Sequence, residues 1–132
     1  MTIEKYIADQ NTEDAKLISV LHDIILSKDK SVVAFIGKMM GCEMIIYNDG
    51  AMFKYGLAKV KKYLSLHLLP MYCSPEIYER YKALLPEAKF QKGCINFNNE
   101  YELPPATVSK LINDCSNVDM TAIKNKVAKS KK

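Results

Sequence analysis

A chain of 132 residues that is 48% hydrophobic can bury one continuous core without metal or disulfide staples, so a single domain is expected. No apolar run approaches the length of a bilayer span, and the opening MTIEKYIADQ carries charge where a signal peptide needs an apolar stretch. The expectation is a cytosolic protein with no membrane partner. The net charge of +4 hints at nucleic acid until it is located: five of the nineteen basic residues fall in the closing KNKVAKSKK, and the remainder of the chain carries −1. Such an end reads as a solubilising tail, which places the domain at residues 1–123 and the tail at 124–132. A phosphate-binding groove would need ordered basic residues and stacking aromatics, and only Lys54, Lys59, Lys61 and Lys62 make a second basic cluster, thin support for a nucleic-acid partner.

From Thr12, Leu17, Val20, Leu21, Ile24 and Ile25 make an amphipathic helical stripe, with Asn11 or Thr12 as N-cap and Glu13 and Asp14 in the favourable first turn. SVVAFIGKMMG follows, and its Ser31 cap and terminal Gly41 favour a short helix over a strand. In EMIIYNDGAMFKYG, Asn48-Asp49-Gly50 lies between β-rich flanks and predicts a tight hairpin. GLAKVKK is basic and turn-like. In KKYLSLHLLPMY, Leu64, Leu66 and Leu68 alternate with Tyr63, Ser65 and His67, the pattern of a half-buried strand. Ser74-Pro75 opens a helix whose Ile77, Tyr78, Tyr81, Leu84 and Leu85 stripe stops at Pro86. FQKGCINF reads as one strand with Gly93, Ile95 and Phe97 inward and Lys92, Cys94 and Asn96 outward. LPPATVSKLINDC places Val108, Leu111, Ile112 and Cys115 at helical spacing, and Asp119 is a candidate cap for a last short helix holding Ile123 and Val127. The fold class is therefore α+β: an antiparallel sheet flanked by N-terminal, inserted and C-terminal helices, packed on one face so that the other is partly open.

The run KKYLSLHLLP, the helix SPEIYERYKALLPEA, the strand FQKGCINF and the closing ELPPATVSKLI resemble, in their order, the YdhG-like family, a large set of small bacterial domains of unknown function. The likeness covers roughly residues 44–115. Leu103-Pro104 matches the family's leucine-proline lead into its last helix. Tyr47, Asn48, Met52 and Phe53 match a second family stretch, in which a proline is replaced here by Gly50-Ala51. The resemblance implies an antiparallel sheet with helices laid out as in frataxin, and one branch of the family is described as an intracellular iron chaperone. Iron sites of that kind use a band of acidic residues. Here the close acidic pairs are Glu13 with Asp14 and Glu100 with Glu102, which read more simply as helix-start and loop charges.

The four cysteines, Cys42, Cys73, Cys94 and Cys115, lack the close pairing of zinc sites and redox dithiols, so free thiols, no resident cofactor and no metal site are expected. If the two alternating strands pair, His67 and Cys94 share a face, an arrangement that could activate a thiol, but neither an oxyanion stabiliser nor a group to orient the histidine is evident. The tyrosines Tyr47, Tyr55, Tyr63 and Tyr72 suit a ligand groove, an interface or a half-buried core edge. The candidate ligand-binding residues are Tyr47, Tyr63, His67, Lys92, Cys94 and Asn96. The expected function is non-enzymatic binding of a small molecule or a protein partner on the open sheet face. The alternatives are an iron-binding chaperone and a Cys-dependent enzyme.

Overall fold

The chain folds, in a computed structural model that describes residues 2–39 and 41–121, around a six-stranded antiparallel sheet flanked by helices. This is the α+β arrangement expected from the sequence. The expected helix around Ile123 and Val127 and the lysine-rich tail lie outside the described residues. Among the described residues, no helix is long and apolar enough to cross a membrane.

Helix α1 (Ile3–Ala8) precedes α2 (Thr12–Lys28). Asn11 caps α2 by accepting a hydrogen bond from the Asp14 backbone N–H at 2.9 Å, which satisfies one of the orphan donors of the first turn. Leu17, Ile18, Leu21 and Ile25 point into the core, whereas Val20 is left exposed.

The segment expected to be a short helix is strand β1 (Val33–Met39). Ser31 does not cap a helix: its hydroxyl and its backbone N–H both turn back to the Asp29 carboxylate, at 2.6 and 3.0 Å. Unbroken pairing with strand β2 (Cys42–Asp49), from Val33 opposite Asn48 to Met39 opposite Cys42, then fixes an extended backbone, which suits Val33 and Ile36 better than a helix does.

The predicted hairpin forms between β2 and β3 (Met52–Val60), with Gly50 in the left-handed region at φ +64°, where glycine carries no steric penalty. Strand β3 also absorbs GLAKV, which had read as a turn. Tyr47 faces Tyr55 but Asn48 faces Phe53, so Lys54 is the extra residue of a β-bulge.

Strand β4 (Tyr63–Leu68) pairs with β3 and with β6 (Cys94–Phe97), and β6 with the edge strand β5 (Lys89–Gln91). FQKGCINF is therefore a hairpin and not a single strand. Lys92 and Gly93 form its turn, with Lys92 at φ +38°. Gly93, expected inward on a strand, lies under Tyr72 instead, where a β-carbon would stand 3.2 Å from Tyr72 Cβ.

Between β4 and β5 come α3 (Leu69–Cys73) and α4 (Pro75–Leu84), and α5 (Pro105–Ser116) follows β6. Ser74 caps α4 through its hydroxyl, as expected. The main core joins Leu17, Ile18, Leu21 and Ile25 of α2, Met71 of α3, Ile77 and Tyr81 of α4, and Val108, Leu111, Ile112 and Cys115 of α5 to one face of the sheet. Leu64, Leu66, Leu68, Ile95 and Phe97 are all buried on that face, each such apolar side chain contributing about 1.5–3 kcal/mol. The opposite face carries a second cluster of Met44, Ile46 and Ala58. It is not entirely open, because α3 turns over the sheet end with Met71 in the core and Leu69 and Tyr72 on the second side.

Candidate functional site

Strand alternation and register define the second face. One row across it reads Ile46, Gly56, His67, Cys94, and the next reads Ala58, Ser65, Asn96. Its middle is thus paved with small side chains. Larger ones rise around them: Met39 and Met44 from β1 and β2, Phe53 from β3, Tyr63 from β4, and Leu69 and Tyr72 from α3. A small floor inside a tall rim makes a concavity, here a cavity of about 540 Å³. Among the described residues, no Asp, Glu, Lys or Arg lines it. Gly56 leaves little room for a side chain, because a β-carbon there would meet Met44 Sδ at 3.0 Å and the Phe53 ring at 3.2 Å.

The polar groups of the floor are linked. Ser65 donates its hydroxyl hydrogen to Asn96 Oδ1 at 2.9 Å, and His67 Nε2 lies 3.4 Å from the same Ser65 oxygen. Ser65 and Asn96 are both buried. Burial lowers the His67 pKa below the ordinary imidazole value, since a charged ring is poorly solvated there. Burial raises the Cys94 thiol pKa, opposed in part by a hydrogen bond with Ser65. Cys94 stands directly across from His67, yet its sulfur points to Gln91 Oε1 at 3.9 Å and the imidazole turns to Ser65. A neutral ring beside a thiol with a raised pKa is the reverse of an activated Cys-His pair.

Of the six residues singled out from the sequence, the structure brings Tyr63, His67, Cys94 and Asn96 to the cavity. Two are elsewhere. Tyr47 is fully buried on the helix side, its hydroxyl 2.7 Å from His22 Nδ1 and its ring edge-on to Tyr55. Lys92 is exposed in the β5–β6 turn and borders a smaller hollow with Met71, Tyr72, Pro75, Tyr78 and Glu79. Tyr72, one of the tyrosines suited to a ligand groove, does line the cavity. The residues missed are on the rim: Met39, Met44, Phe53 and Leu69. Their signal was GLAKV, in which Gly56 and Ala58 alternate as small strand residues, a pattern hidden once that segment was read as a turn.

The supposed basic cluster also dissolves. Lys54 is inside the protein with Asp29 at 2.7 Å, and Lys59 is paired with Asp14 at 2.7 Å. The acidic pairs divide in the same way, since Asp14 serves Lys59 and Glu102 accepts from the Asn98 backbone N–H at 2.8 Å. Among the described residues, no three His, Cys, Asp or Glu side chains gather where they could hold a metal ion. All four cysteines are free thiols, with Cys115 buried and Cys73 exposed. No protein-family model matches the chain, and no curated protein or solved structure matches it either.

Proposed function

We propose that the domain binds a small, uncharged and largely apolar molecule in the cavity on the second sheet face, without chemistry on it. The observation that carries this reading is the lining: a concavity of about 540 Å³ with apolar and sulfur-bearing walls, a few convergent polar groups and, among the described residues, no Asp, Glu, Lys or Arg. Ligand pockets commonly combine that size with such a lining, whereas a phosphorylated ligand or a hard cation needs charge close by. The order of motifs shared with the YdhG-like family is compatible with this reading and leaves its ligand open. The iron-chaperone alternative lacks a ligand cluster among the described residues, and the Cys-enzyme alternative finds Cys94 with its thiol pKa raised by burial and its sulfur turned to Gln91.

The test uses the neutral fluorophore N-phenyl-1-naphthylamine with the intact protein. Saturable fluorescence enhancement is expected, to be lost in Cys94→Trp, where the indole fills the floor between His67 and the rim. His67→Ala and Cys94→Ala should leave the fold intact by circular dichroism. Absence of saturable binding, or unchanged binding in a folded Cys94→Trp protein, removes the proposal, as does unfolding of both alanine variants.

A further inference from the structure

Accepting the cavity as a small-molecule site, we infer that it selects an uncharged ligand carrying a hydrogen-bond donor, and that His67 Nδ1 is the atom that receives it. A serine hydroxyl has a single hydrogen, and that of Ser65 goes to Asn96 Oδ1 at 2.9 Å, which can only accept, whereas the neutral Cys94 thiol beside it carries a hydrogen of its own. The proton shared between Ser65 Oγ and His67 Nε2 must therefore come from the ring. A neutral imidazole protonated at Nε2 has its lone pair on Nδ1.

Among the described residues, no protein group hydrogen-bonds that Nδ1 or the Asn96 amide nitrogen, and neither is an enclosed orphan. Both belong to side chains that line the cavity. Beside the Tyr63 hydroxyl and the Gln91 amide, the floor thus presents an acceptor, His67 Nδ1, and a donor, the Asn96 amide, to an incoming molecule whose apolar body rests on Met39, Met44, Phe53 and Leu69. Primary amides and lactams have this pairing of donor and acceptor. A carboxylate would oppose its charge to the Nδ1 lone pair with no Lys or Arg among the described lining residues to offset it. The lowered His67 pKa keeps the ring neutral at the pH of the test.

The experiment is an NMR titration of the intact ¹⁵N-labelled protein at pH 7.5 with benzamide, N,N-dimethylbenzamide and benzoate, three probes that share the phenyl body. A long-range ¹H–¹⁵N spectrum reads the His67 tautomer. The free protein should show the Nε2–H form. Benzamide should bind roughly tenfold more tightly than either of the other two, the factor that one such hydrogen bond supports. His67→Ala should erase the discrimination, because the acceptor is then gone. An Nδ1–H tautomer in the free protein overturns the inference. So does equal binding of the two amides, or discrimination that survives in His67→Ala and is therefore steric; in those cases the cavity remains an apolar site. Failure of all three probes and of the fluorophore removes the site and the inference together.

Discussion

Lys54 is an ammonium-bearing side chain 4% exposed, and its position follows from one extra residue in β3. In the bulge, Lys54 and Tyr55 both stand opposite Tyr47, so an outward-pointing lysine is carried to the core side. There the Asp29 carboxylate receives Lys54 Nζ at 2.7 Å, the Tyr55 hydroxyl at 2.7 Å and the Ser31 hydroxyl at 2.6 Å. Lys54 Nζ also donates to the Ser31 oxygen at 3.1 Å. Taking two charges out of water costs several kcal/mol per ion, so the pair itself is weak evidence for stability; what is strong is the penalty for breaking it. Lys54→Met leaves Asp29 charged and buried with three neutral donors, the Ser31 hydroxyl and N–H and the Tyr55 hydroxyl, and a loss of about 3–5 kcal/mol in urea unfolding is expected. Asp29→Asn combined with Lys54→Met removes the uncompensated charge, keeps an oxygen acceptor for Ser31 and turns an amide N–H toward the Tyr55 oxygen, which can accept it, so the double variant should be the more stable of the two. A double variant less stable than Lys54→Met would contradict this account.

At the scale of elements, the sheet has two edges of different character. Strand β5 is three residues long, Lys89–Gln91, and is followed by Lys92. Strand β1 runs for seven residues in regular register, with Val33 70% and Phe35 42% exposed and Lys38 as its one charge. Short length and lysines blunt an edge against pairing with another chain, and β1 has little of either. Val33→Lys combined with Phe35→Lys is expected to leave stability within about 1 kcal/mol, as surface changes do, and to reduce scattering on heating at high concentration. Undiminished scattering would place the association elsewhere. The same strand was the element least legible in the sequence. The strands and helices with a clean period, β4, α2, α4 and α5, could be read directly, because one buried face repeats. Strand β1 could not: VVAFI is apolar on both sides, and only its pairing with β2 selects the extended form. The site was half legible for the same reason. Alternation along β4 and β6 put His67 and Cys94 on one face, but the rim depends on α3 crossing the sheet end and on β3 extending through Gly56 and Ala58, both tertiary facts.

For the whole molecule, burial of titratable groups sets a pH window for folding. His22 and His67 both have lowered pKa values, each chiefly through burial, with Asp23 and Glu4 opposing the shift at His22. A base with a lowered folded pKa binds fewer protons folded than unfolded, so its contribution is complete above the unfolded value near 6.5 and is lost as pH falls through that range. Asp29 gives a second loss at lower pH. Burial alone would raise its pKa, but hydrogen bonds from Lys54, Ser31 and Tyr55 outweigh burial and hold the carboxyl below its ordinary 3.8. Acids raised by folding act at the other end. Burial pushes the Cys115 thiol up to about 12 from 9.0, and it raises the Tyr47 and Tyr55 hydroxyls well above their ordinary 10.0. Their contributions are present below the unfolded values and disappear as pH rises past 9.0 and 10.0. Thermal unfolding should therefore show a plateau of Tm between about pH 7 and 9, falling on both sides. His67→Gln should flatten the fall between about pH 7 and 5 while leaving the alkaline limb in place. A Tm that is constant or rises on acidification from pH 7 to 5 would mean that the histidines are not held neutral by the fold.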